Sequence, residues 1–168
     1  MINVTSLYGG LVYHKSPFVL AQLESVMGAK AFREGIGNYL RRYRFKNASW
    51  PELIAALDAA TPEDLESFSR AWVYRTGRPV VEARFEEKDG KLARLVVRQT
   101  GGLWNQKLRL TLGESESIEV QLSAAELDVA AARGKPVPDF VLPDGGGQAY
   151  AGFRLDKRSE AYLLAKLP

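Results

Sequence analysis

The chain has 168 residues, 46% of them apolar and 10% aromatic, with 23 Lys and Arg against 20 Asp and Glu. That length suits one domain or two small ones, the apolar share can bury a core and excludes disorder, and a net charge of +3 is too small to point to nucleic acid. With no Cys and a single His, His14, neither a disulfide nor a histidine-based zinc cage can be assembled from these residues; no apolar run reaches the roughly 18 residues a membrane helix needs, and the first residues lack the layout of a signal peptide.

Helical periodicity dominates the first half. Ser16 as cap and Pro17 at the first helical position predict a helix over 16–27, with Val19, Leu20, Leu23, Val26 and Met27 on one stripe and Gly28 as its stop. A second helix is predicted over 30–44, where Phe32, Ile36, Tyr39, Leu40 and Tyr43 share a face. Gly35 and Gly37 weaken that helix by roughly 1 kcal/mol each relative to Ala, and they allow another helix to approach closely. Ser49 and Glu52 form a capping box for a third helix whose buried face is Leu53, Ile54 and Leu57. Thr61-Pro62-Glu63-Asp64 reads as the start of a fourth, lined by Leu65, Phe68, Trp72 and Val73 and ended by Gly77 and Pro79.

Strand alternation then takes over. Val81, Ala83 and Phe85 alternate with charged residues, Asp89-Gly90 signals a tight hairpin, and Leu95 and Val97 continue on the return strand. Leu108, Leu110 and Leu112, then Ile118, Val120 and Leu122, make a second pair of strands. Residues 124–134 are open between helix and extended arm. Val141-Leu142, Tyr150, Phe153 and Leu155 supply later strands, and 159–166 a terminal helix. The fold class expected is α+β: a helical bundle over 1–78 and a small antiparallel β-sandwich over 79–168.

Tyr13-His14-Lys15-Ser16-Pro17 resembles the Y-x-K-G-[AP] segment of the gluzincin zinc aminopeptidases, the family of membrane alanyl aminopeptidase. The likeness continues through Leu23, Met27-Gly28, Phe32-Arg33-Glu34-Gly35, Tyr39-Leu40-Arg41-Arg42-Tyr43, Asn47-Ala48-Ser49-Trp50 with Leu53, and Leu65, Phe68, Trp72-Val73, Gly77 and Pro79-Val80. It is specific over 8–82 and looser beyond, through Arg94–Gln99, Leu103-Trp104 and Val141–Asp144. The resemblance implies the helical second half of a thermolysin-like catalytic domain followed by its β-sandwich domain. It implies a zinc cofactor and a peptide substrate for the parent enzyme, with the H-E-x-x-H motif and the third ligand, a Glu, upstream of Met1. The chain is therefore expected to lack zinc, to be inactive alone, and to leave uncovered a helical face that meets the missing catalytic half or a second copy. A non-catalytic scaffold built on the same architecture is the alternative.

By the same resemblance Tyr13 is the catalytic tyrosine. Peptide hydrolysis passes through a tetrahedral oxyanion, and a phenol, protonated at neutral pH, can donate a hydrogen bond to it. Tyr8 matches a position where some relatives carry a pocket-lining aromatic. Ser16 departs from the usual glycine, which puts the local backbone in question. The other candidates have plainer readings. His14 is a solvated histidine, since a structural zinc site needs about four ligands. Arg41, Arg42, Arg44 and Lys46 read as the basic end of a helix, which favours the macrodipole, and not as a nucleic-acid surface. Trp50 and Trp72 belong to the core by spacing, and Asp144 with Gly145–Gly147 makes a turn without the spacing of a calcium loop.

Overall fold

The computed structural model describes residues 13–167. The chain divides into two compact units, residues 1–76 and 77–168.

In the first unit, helix α1 spans Ser16–Met27 and α2 spans Ala29–Arg42, with Gly28 between them at φ 80°. A side chain rarely adopts that conformation, so Gly28 breaks the two helices apart without a longer loop. Helix α3, Trp50–Asp58, opens on the predicted capping pair: the Ser49 N–H donates to Glu52 Oε2 at 2.6 Å and the Ser49 hydroxyl to the same oxygen at 2.9 Å. These bonds pull the Glu52 carboxyl below its ordinary pKa, the backbone N–H of Ser49 being the main cause and its hydroxyl the next. A carboxylate depressed on folding stabilises the folded chain above its unfolded pKa and loses that contribution as pH falls through the folded value. The helical signal is therefore expected to weaken as pH drops below about 4, and Glu52→Gln to flatten that dependence in an acid titration followed by circular dichroism.

Helix α4 begins at Leu65, four residues after the predicted Thr61. Asp64 is its cap, accepting from the Ser67 N–H at 2.9 Å, while the Leu65 N–H is taken by Asp58 Oδ1 at 3.3 Å. Thr61–Glu63 form a turn instead. After Ser69 the helix widens into a π-helical turn, Arg70–Tyr74. Val19, Leu23, Met27, Ile54, Leu57, Leu65, Phe68 and Trp72 are buried, and Phe68 stacks on Trp72 with ring centroids 5.5 Å apart. Trp50 Nε1–H donates to the buried Ser69 hydroxyl at 2.6 Å, linking α3 to α4.

The two helical glycines separate by function. A Cβ on Gly35 would meet Leu57 Cδ2 at 2.8 Å and Leu57 Cα at 3.1 Å, so α2 and α3 touch there backbone to backbone. Gly37 faces only its own helix's Arg41. Gly35→Ala gains helix propensity of about 1 kcal/mol but forces α2 and α3 apart, a strain of about 1–3 kcal/mol. The net expectation is destabilisation at 35 and stabilisation at 37, read from paired urea denaturation curves.

In the second unit, β1 (Val80–Lys88) and β2 (Lys91–Thr100) form the predicted hairpin. Asp89 and Gly90, at φ 53° and 71°, make its two-residue turn; the primed turn needs positive φ at both positions. Strands β3 (Gln106–Leu112) and β4 (Glu116–Leu122) pair antiparallel as read. Residues 124–134 resolve into a short strand, β5 (Glu126–Asp128), antiparallel to β2, and a 3-10 turn at Ala130–Ala132. Gln99 holds this arm: it is buried, and its amide donates to the Ala124 carbonyl at 2.7 Å while accepting from the Trp104 N–H. Strand β6 (Val141–Leu142) pairs with β3, and β7 (Gly152–Arg154) pairs parallel to β1.

The result is two sheets, β5-β2-β1-β7 and β4-β3-β6. One apolar cluster fills the space between them, with Val81, Leu92, Leu95 and Val97 from the first sheet and Leu108, Leu110, Leu112 and Leu122 from the second. That is a sandwich, antiparallel except at β7. Helix α5 (Lys157–Lys166) starts two residues before the predicted 159, because Asp156 caps it by accepting from the Arg158 and Ser159 N–H groups.

Candidate active site

Tyr13 lies in a π-helical turn, residues 13–15, that runs directly into α1. Its side chain is 70% exposed. His14 beside it is exposed, and Lys15 is half-buried, its ammonium pKa pushed down by burial. Tyr8 lies outside the described residues.

The expected cap is corrected. Lys15 occupies the cap position, with φ −95° and ψ −44°, and Ser16 is already the first residue of α1, followed by Pro17 in the first turn. A cap residue normally takes extended backbone. Here the π turn brings the chain into the helix in helical conformation, and the cap position falls on Lys15. This answers the question raised by the missing glycine. Among the described residues, the non-glycines with positive φ are Phe45 and Asp89. Ser16 thus occupies ordinary backbone, and nothing at this position requires glycine.

The remaining sequence candidates scatter. Trp72 is fully buried and Trp50 half-buried, as core residues. Asp144 Oδ2 accepts from the Ala149 N–H at 2.9 Å, closing a loop whose Gly145 lies so near Thr111 that a Cβ would fall 1.8 Å from its hydroxyl oxygen. That loop is a turn packed on β3. Asp64 and Glu52 are caps. A cavity of about 400 Å³ between α3 and α4, walled by Pro51, Ile54, Ala55, Asp58, Ser69 and Tyr74, does not include Tyr13. Among the described residues no three His, Cys, Asp or Glu side chains converge in a way that could hold a metal ion, and no helix is long and apolar enough to cross a membrane. What the helical unit presents is one exposed phenol at a helix start.

Residues 1–72 match the peptidase family M1 domain. Aminopeptidase N of Streptomyces lividans is 26% identical over 95% of this chain, which covers 21% of that protein. Over residues 1–72 the chain is similar to peptidase family M1. Aminopeptidase M1 of Arabidopsis thaliana is 32% identical over 54% of the chain, covering 10% of the relative, and tricorn protease-interacting factor F2 of Thermoplasma volcanium 28% identical over 58%, covering 12%. The chain thus spans about a fifth or less of the length of these relatives. The family match contains Tyr13 and ends at Trp72, inside the π turn that follows α4; the likeness to the Streptomyces protein also takes in the sandwich.

The sequence places Phe45 among the basic residues that end α2, but its backbone conformation is not read from it. Phe45 is 93% exposed at φ 58°, in the left-handed region. The available signal was its position: it falls off the stripe of Phe32, Ile36, Tyr39, Leu40 and Tyr43, just past the end of α2.

Proposed function

We propose that this chain is one portion of a zinc metallo-aminopeptidase: the helical second half of a thermolysin-like catalytic domain with the sandwich domain that follows it. Tyr13 is the residue that carries its chemistry. The observation behind this reading is the placement of Tyr13 at the head of α1, inside the M1 match and with its ring turned to solvent. A donor must reach the oxyanion that develops on the scissile carbonyl, and a buried phenol could not.

Zinc is the family's cofactor, and these residues do not fit it. The sequence holds one His, and among the described residues no three His, Asp or Glu side chains converge to hold a metal ion. The metal's ligands belong to other parts of the parent, and the phenol's role is confined to holding a proton and donating it in a hydrogen bond. The surface left by the helices fits a divided domain. Leu40 is 62% exposed although it lies on the apolar stripe of α2, and Tyr74 is exposed at the π turn. An exposed Leu on the apolar stripe of a helix fits a surface that another element covers, here the rest of the parent's catalytic domain or a second copy of this chain.

The test is hydrolysis of an aminoacyl anilide by the purified 168-residue chain with added zinc. The expected rate equals the buffer blank and is the same for Tyr13→Phe. Turnover that Tyr13→Phe abolishes would overturn the reading of this chain as an inactive portion.

A further inference from the structure

The end of α2 carries four cations within six residues: Arg41, Arg42, Arg44 and Lys46. None of them forms an ion pair with a carboxylate among the described residues. Arg41 donates to Asn38 Oδ1 at 2.7 Å. Glu52 feels the charge of Arg42 only weakly, its bound oxygen being held by Ser49. Elsewhere the pattern is different: Arg70 pairs with Glu66, and Arg94 with Asp128 and Glu126.

Two of the guanidinium groups are already positioned. Arg42 lies over the Tyr43 ring at 5.6 Å and Arg44 over the Phe45 ring at 4.9 Å, while Tyr39 packs against Tyr43 at 5.3 Å. A guanidinium stacked on a ring keeps its in-plane N–H fork free, and that fork matches a carboxylate. The backbone supports the display. Lys46 N–H donates to the Tyr43 carbonyl at 2.9 Å, and the resulting turn holds Phe45 in left-handed backbone with its ring in solvent. Residues other than glycine adopt that conformation rarely.

We infer that this helix end is a docking surface for an acidic segment of another polypeptide, its carboxylates on Arg42, Arg44 and Lys46 and an apolar side chain on Phe45. Charge complementarity selects an anionic partner. The stacking selects a polypeptide over single-stranded nucleic acid, because nucleic acid gains its affinity from bases laid on free aromatic faces and here cations occupy faces of both rings.

The test is calorimetric titration of the 168-residue chain at low salt with a Glu-rich peptide containing one Leu, beside an oligothymidylate. The peptide is expected to bind, and binding to weaken as salt rises. Arg42→Gln with Arg44→Gln should weaken it about tenfold, whereas Lys88→Gln with Lys91→Gln, the same charge change on the sandwich, should leave it unaltered. Phe45→Gly should weaken peptide binding without lowering the thermal midpoint, since glycine tolerates that backbone. No binding, an equal loss in the Lys88 and Lys91 variant, tighter binding of the oligothymidylate, or self-association that the peptide does not displace would each overturn the inference.

Discussion

Tyr13→Phe is expected to lower kcat about 100- to 1,000-fold when residues 1–76 are grafted in place of the matching segment of Streptomyces lividans aminopeptidase N. The change removes one oxygen and keeps the ring, so the head of α1 and its packing persist. A hydrogen bond made only to the developing oxyanion stabilises the transition state and not the bound substrate. Its loss lowers kcat and kcat/KM together and leaves KM near its original value. Zinc content should be unchanged if, as proposed, the ligands lie outside this segment. A rise in KM at constant kcat would make Tyr13 a residue of uniform substrate binding, and a fall of less than about threefold, under 1 kcal/mol, would remove it from the chemistry altogether.

Trp72→Ala is expected to cost about 3–5 kcal/mol, a large part of the roughly 5–15 kcal/mol that holds a typical domain. Trp72 is fully buried and stacks on Phe68, itself buried. It occupies the π turn Arg70–Tyr74 that follows α4. Alanine would leave a cavity that a close-packed interior closes only in part. Tyr74, in the same turn but 62% exposed, is the control: Tyr74→Ala should stay within about 0.5 kcal/mol. Urea denaturation followed by the helical circular dichroism signal reads both. Equal losses at 72 and 74 would mean that the turn is held by its backbone and not by the buried ring.

Much of the fold was legible because its signals are local. Ser49 and Glu52 lie one helical turn apart and make their bonds whatever surrounds them, and Asp89-Gly90 accepts the positive φ that a two-residue hairpin requires. The strands around them alternate cleanly since one face meets the shared core. What escaped depends on distant partners. Thr61 looked like a cap because Pro62 follows it, but Asp58 takes the Leu65 N–H and the cap is Asp64. The ambiguity over 124–134 is resolved by Gln99, which holds Ala124 from a strand more than twenty residues away. Parallel pairing of β7 to β1 joins residues some seventy apart, beyond the reach of any local pattern. At the site, no periodicity singled out Tyr13; its neighbours Lys15, Ser16 and Pro17, by their resemblance to a family segment, did so. For Phe45 the sequence shows a place off the apolar stripe of α2, but nothing in it signals the left-handed backbone.

Zinc bound per chain, measured by elemental analysis after equilibration with the metal and desalting, decides whether these residues hold the metal. If, as proposed, the metal's ligands lie outside this chain, the ratio is far below one and His14→Ala does not change it. A ratio near one that falls with His14→Ala would contradict that placement of the ligands.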